Sequence, residues 1–297
     1  MRYALIHRNR LVWPVSVQCR VLEVSVSGYH QHRVRMVFLS KRRHLSDEAL
    51  LVRIRAVHAE NRGAYGWPRV WRSLRAQGVR VGKRRVQRLM QQHLIQGRGK
   101  RRFRVMTTDS RHGLPIAANV LDRNFAVVAP NQAWVGDFTY IPTREGWLFL
   151  AVVLDLFSRK VVGWSMRPDM QRDLVVDALD MAWFGRNPGE EKLLFHSDRG
   201  SQYASEEFGK LLILHGITPS MSRRGNCWDN ACAETLFGSL KVERLHGERF
   251  DTIREAKDAT IEWLLWYNGK RMHSTLGYRS PTEFEREWTE ANEKLAA

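Results

Sequence analysis

The stretch from Asn131 to Met166, NQAWVGDFTYIPTREGWLFLAVVLDLFSRKVVGWSM, constrains the fold more tightly than any other part of the chain. Three apolar runs, roughly 133–141, 147–154 and 160–166, are parted by the short turns TREG and DLFSR. That spacing predicts a meander of antiparallel strands. A helix over 173–184, a short strand KLLFHS, a helix over 205–215, a strand ITPSMS and a helix within SRRGNCWDNACAETLFGSLKVERL complete the order βββαβαβα. An α/β domain with helices on a mixed five-stranded sheet follows.

Acidic residues interrupt this apolar pattern at three places. Asp137 lies inside the first strand beside Gly136, where an ionised carboxylate is costly unless a cation or hydrogen-bond donors stabilise it. Asp198 follows the fourth strand and opens the turn DRGSQY. The first and fourth strands of such a sheet are commonly adjacent, which would bring the two together. Glu234 sits one turn into the last helix of the domain, among the small residues Ala231, Cys232 and Ala233, with Lys241 seven residues on. Two helical turns separate Glu234 from Lys241 and place them on one face, about 10 Å apart along the axis.

Taken singly, Asp198 reads as a turn former and Glu234 as a solvated helix residue. Together, three carboxylates from strand one, strand four and a helix repel one another and are tolerable when divalent cations bind them. Oxygen-only ligands favour Mg²⁺ or Mn²⁺ over zinc. Asp155 is read as a hairpin residue, and Asp229 or Asn230 as the cap of the Glu234 helix. His196 is left open between core and a supporting role, and His273 is read as packing or DNA-adjacent.

Charge narrows the partner. Lys and Arg number 48 against 31 Asp and Glu, a net charge of +17, so a polyanion is the first expectation. No stretch approaches the roughly 18 apolar residues of a membrane span, and the N-terminus lacks the apolar core of a signal peptide. A cytoplasmic, nucleoid-associated location is expected, with no membrane partner and with the three cysteines as reduced thiols.

Five segments are expected: a basic N-terminal arm (1–45), a helix-turn-helix-like module (46–96), a basic linker (97–128), the α/β core (129–246) and a helical tail (247–297). In the module, Ser46 caps a helix carrying Leu50, Ile54 and Val57 at helical spacing. A second helix ends at Gly78, and a third turns Val86, Leu89, Met90 and Leu94 inward. Arg84, Gln87, Arg88 and Gln91 form its outward stripe, either a DNA-reading face or a solvated basic one. Arg223, Arg224 and Arg271 are further expected DNA contacts. The aromatics of TIREAKDATIEWLLWYNGKR are read mainly as core.

Four segments carry a resemblance: WVGDFTYIPT, HSDRGSQY, RRGNCWDNACAETLFGSLKVE and YNGKRMHSTLGYRSP. In this order they resemble the signatures of bacterial insertion-sequence transposases of the insertion-sequence-three family, within the DDE group that shares the RNase-H-like, retroviral-integrase-type catalytic fold. The 35 residues between Asp198 and Glu234, and Lys241 seven after the glutamate, match that pattern. The resemblance covers about residues 45–288, and VQCRVLEVSVSGYH resembles the family's opening segment.

The resemblance implies that Asp137, Asp198 and Glu234 form a catalytic and metal-binding triad for two Mg²⁺ (or Mn²⁺) ions, with Lys241 on the DNA end. The implied reaction is cleavage at element ends and strand transfer into target DNA by 3′-hydroxyl attack. The implied partners are double-stranded DNA at element ends and target, further copies of the chain assembled on DNA, and an upstream-frame protein or fusion. An RNase-H-like nuclease without joining activity and a non-catalytic, transposase-derived regulator are the alternatives.

Overall fold

The computed structural model describes residues 2–37, 45–99, 113–189, 192–223 and 227–296. The chain divides into two compact units, Met1–Glu60 with Val70–Gln96, and Asn61–Arg69 with Gly97–Ala297. None of the described helices is long and apolar enough to cross a membrane.

In the first unit, helices α1 (Arg2–Arg8), α2 (Val15–Val21) and α3 (Val26–Val37) each contribute one side chain to a small core of Ile6, Cys19 and Tyr29. The segment read from sequence as a basic arm is therefore helical over its described residues, one apolar side chain of each helix being fully enclosed while others, such as Leu5, Val17 and Val34, stay exposed. Helices α4 (Asp47–Glu60), α5 (Trp67–Ala76) and α6 (Lys83–Gln92) follow, with the division between units falling inside α5. Ser46 Oγ accepts the Ala49 amide at 3.2 Å, closing the start of α4 as its sequence predicts. Leu50, Ile54, Val57, Val86, Leu89 and Met90 are all buried. Leu94, expected inward, is exposed: it lies beyond the end of α6 with a left-handed φ of 53°, while Ile95 N–H donates to Met90 O.

The second unit is built on strands β1 (Ala133–Thr143), β2 (Gly146–Asp155), β3 (Val161–Arg167), β4 (Leu194–Ser197) and β5 (Thr218–Met221), in sheet order β3-β2-β1-β4-β5. β1, β2 and β3 are antiparallel neighbours, and β4 and β5 run parallel to β1. Every second residue of β2, Leu148 to Leu154, enters one core with α9 (Ala231–Leu240) and α10 (Ile253–Gly269). The alternate residues Ala151 and Val153 enter the other core with α7 (Asp173–Arg186) and α8 (Glu206–Leu214). Burial on both faces explains why β2 reads as a continuous apolar run. At Gly163 a side chain would place Cβ 2.2 Å from Ala178 O, so its absence lets α7 lie against β3.

Residues 113–128, expected as linker, pack on this unit. Leu121 is buried with Val135, Leu156 and Ala233, and the Val120 and Leu121 amides both donate to Ser220 Oγ. After α9 the rod continues as a π-helical turn, Lys241–Leu245. α10 is closed by a capping box of Thr252 and Glu255, and buries Trp263, Leu264 and Tyr267 beneath the sheet, as its pattern predicts. α11 (Pro281–Ala296) ends the described chain.

Candidate active site

Alternation along β1 sends Trp134 and Phe138 into the α7–α8 core and Val135 and Ile141 to the opposite face. Asp137 therefore points to the α9 side. Behind it, Gly136 is required by close approach, since a Cβ there would stand 2.4 Å from the Phe195 ring. β1 and β4 pair with Val135 opposite His196, and two residues further along each chain stand Asp137 and Asp198. Asp198 is held in its turn by the Gly200 amide, which donates to Oδ1 at 2.9 Å. Asp137 Oδ1 accepts the Phe138 amide at 2.8 Å.

The small residues of α9 set the third carboxylate. Ala233 is fully buried against Val135 and Leu156, so the helix rests directly on β1 and leaves Glu234 at the exposed edge. Lys241 begins the π-helical turn, half-buried, with Nζ 5.6 Å from the centre of the Tyr140 ring.

These groups act on one another. Burial pushes the Asp137 carboxyl well above its ordinary range, the Asp198 charge pushes it further and Glu234 adds to this, with partial relief from the Phe138 amide and Lys241. Burial also raises Glu234. Burial lowers the Lys241 pKa and the Asp137 carboxylate opposes that. Among the described residues no three His, Cys, Asp or Glu side chains are gathered tightly enough to hold a metal ion. The β1–β4 register sets Asp137 and Asp198 at matching positions, and α9 carries Glu234 at its exposed edge.

Two residues of this site were not singled out from sequence. Tyr203 is buried in the core behind Gly136, its hydroxyl raised by burial and by the Asp137 and Asp198 charges. Asn230, buried at the start of α9, donates to Gly136 O at 3.5 Å, and its Oδ1 has no partner among the described residues. Neither carries a periodic signal; Asn230 reads in sequence only as a helix cap, a bond its side chain does not make.

The remaining expected residues are distributed differently. Asp229 is no cap: it is fully buried and accepts from the Arg223 backbone and side chain, from Arg123 and from Asn119, which hold its pKa far below the usual range. Arg223 is thereby engaged with Asp229 and also with Asp122. Arg224 lies outside the described residues. Arg271, expected on DNA, is instead 5% exposed and grips Glu243 through two bonds of 2.7 and 2.6 Å, so its guanidinium is turned into the protein. In the first unit Arg84, Arg88 and Gln91 are exposed and Gln87 is half-buried. Arg88 is tied to Asp47 at 2.8 Å and to Gln92. Asp155 accepts the amides of Asn131, Phe157 and Ser158 and so organises the β2–β3 turn. His196 bridges Ser220 and Ser222 between strands, and burial lowers its pKa to about 4, leaving a neutral interior strut.

Family models for an integrase core domain match residues 127–227 and 215–281, and one for an HTH-like domain matches residues 45–103. The chain is 40% identical over 291 residues to the transposase InsF for insertion sequence IS3A of Escherichia coli (strain K12), covering 96% of this chain and 98% of that one. It is also 40% identical over 274 residues to an uncharacterized 31 kDa protein of insertion element IS600 of Shigella sonnei, covering 91% and 98%. Among solved structures it is similar to a simian T-cell lymphotropic virus intasome chain (TM-score 0.43, 16% identity, 77% of this chain and 73% of that one). The Mos1 mariner transposase catalytic domain is another (TM-score 0.41, 13% identity, 52% and 74%). With an integrase core, an HTH-like region and 40% identity to InsF over nearly the full length of both chains, the chain belongs to the IS3 family of insertion-sequence transposases.

Proposed function

We propose that this transposase cleaves DNA at the ends of its element and joins the released 3′-hydroxyl to target DNA, using Asp137, Asp198 and Glu234 as one divalent-metal site. The observation that carries the reading is the pairing of β1 with β4, which sets Asp137 and Asp198 at matching positions two residues beyond Val135 and His196, with α9 resting on β1 beside them. Carboxylate oxygens fit hard cations, Mg²⁺ or Mn²⁺; two such ions would be held by Asp137, Asp198 and Glu234 once the three draw closer than they stand in this structure. When bound, the metal supplies Lewis-acid stabilisation of the attacking and leaving oxygens of a phosphodiester.

The protein's own groups do the rest. Asp137 and Asp198 are fixed by strand pairing and by the Phe138 and Gly200 amides; Glu234 closes on them from the edge of α9. In the first step water attacks the phosphorus and the 3′-oxygen leaves with a proton. In the second that 3′-hydroxyl gives up its proton and attacks a target phosphorus, and the target's own 3′-oxygen leaves and takes a proton, so one bond forms for each one broken. Lys241, on the same rod as Glu234, holds the DNA end. The Arg84, Gln87, Arg88 and Gln91 stripe grips duplex DNA from the first unit, further copies assemble on the DNA, and an upstream-frame partner contributes to the active form within the cytoplasm.

The test is incubation of the full chain and of Asp137→Asn, Asp198→Asn and Glu234→Gln variants with element-end DNA and Mg²⁺, resolving nicked, hydrolysed and joined products. Each substitution abolishes cleavage and joining while DNA binding survives. Near parental strand transfer in any one variant removes that residue from the site, and cleavage with no joining in the parent favours a nuclease.

A further inference from the structure

A second charged site lies in the catalytic unit, apart from the carboxylates. Arg62, Arg98 and Arg244 line a cavity of about 300 Å³ together with Glu243 and Glu262. Its carboxylates are largely committed. Glu243, 6% exposed, takes both bonds of Arg271 and lies 3.7 Å from Arg69. Glu262 is shared between Arg62 and, at 3.9 Å, Arg244, and Glu248 meets Arg244 at 3.7 Å from the rim. Five guanidiniums thus face three carboxylates, of which Glu243 is buried and Glu248 and Glu262 are exposed. Burial and the Arg271 charge push the Arg69 pKa down, a mark of crowded positive charge.

Donors as well as charge are in excess. Arg62 Nη1 and Arg244 Nε are buried and have no acceptor among the described residues, and Arg98 Nη1 is satisfied only by the backbone oxygen of Glu243, at 3.0 Å. Unmet buried donors on charged groups are costly, and guanidinium forks match the oxygens of a phosphate. Arg244 lies on the same helical rod as Glu234, ten residues further on, about 15 Å of rise. With a rise of about 3.4 Å per nucleotide of one strand, a duplex engaged at Glu234 reaches Arg244 roughly four nucleotides away.

We infer that this cavity binds a backbone phosphodiester of duplex DNA, anchoring the strand several nucleotides from the carboxylates through Arg62 and Arg244. The inference rests on the reading of the chain as acting on DNA ends.

The experiment measures binding of the full chain to duplex end DNA across salt concentrations for the parent, for Arg62→Gln with Arg244→Gln, and for Glu262→Gln. Losing the phosphate contact weakens binding about tenfold near 0.1 M salt and flattens the log–log salt slope by about 0.9. Glu262→Gln removes a competing carboxylate and tightens binding severalfold, an outcome that a merely structural ion pair does not produce. A folded double variant with the parental slope, or a Glu262→Gln variant that binds no tighter than the parent, overturns the inference. Should the double variant fail to fold, Glu262→Gln alone decides. Inorganic phosphate is the control for a small-anion site: if it raises the melting temperature of the parent alone, with DNA slopes unchanged, the DNA assignment falls. A parent that does not bind duplex DNA removes the functional reading itself.

Discussion

Replacing Arg271 by alanine separates a buried anchor from a DNA contact. The guanidinium lies 5% exposed, bonded to Glu243 at 2.7 and 2.6 Å and to Ser239 Oγ at 3.1 Å, with Tyr267 at 5.6 Å beneath it. Glu243 is equally buried, at 6%. Removing Arg271 leaves Glu243 with Arg69 at 3.7 Å as its remaining, more distant ionic partner, and breaking a buried pair in this way costs about 3–5 kcal/mol. For a unit of this size each kcal/mol moves the melting temperature by about 2–4 °C, so Arg271→Ala melts about 6–20 °C lower. The assay is thermal unfolding of Arg271→Ala, Glu243→Ala and the double variant. Because both singles strand the same pair, the double loses less than their sum, with a coupling of about 1–3 kcal/mol. A single-variant loss below about 1 kcal/mol, or strictly additive losses, refutes the argument and returns Arg271 to the surface as a DNA ligand.

Three further outcomes are expected. Asp137 has a folded pKa above its unfolded one, so its cost to the fold appears as pH rises above the unfolded value of about 4 and is complete above the folded one; under chelator, Asp137→Asn melts higher than the parent at pH 7. Mg²⁺ at a hundredfold excess over its Kd restores about 2.7 kcal/mol to the parent alone, and a parent that already outlasts the variant without metal contradicts this. Gly136→Ala drives a Cβ against Phe195 and costs about 1–3 kcal/mol, with partial recovery in combination with Phe195→Leu; unchanged melting would show that β1 can give way. Lys241→Ala weakens engagement of the element end, and Lys241→Arg keeps part of it because the charge survives, as read by crosslinking from position 241 to the terminal base pairs; crosslinks only to distant DNA count against the role.

What the sequence determines by itself is periodic or local. The apolar runs of β1 to β3, the helical spacing of α4 and the Ser46 cap are all legible, because alternation, helical repeat and capping act between residues close in the chain. The three carboxylates stand out for the same reason, each breaking an apolar or small-residue pattern that surrounds it. Which side chains share a site is another matter. Arg271 looks like any surface arginine until the fold brings Glu243 to it, and Asp229 looks like a cap until it meets Arg123 and Asn119, more than 100 residues away. Tyr203 and Asn230 join the site only because β1, β4 and α9 converge at Gly136. Pairing of distant charges depends on strand order and helix docking, which minimise exposed apolar area over the whole unit. Only the tertiary structure therefore decides which arginines are anchors and which remain available to an anion.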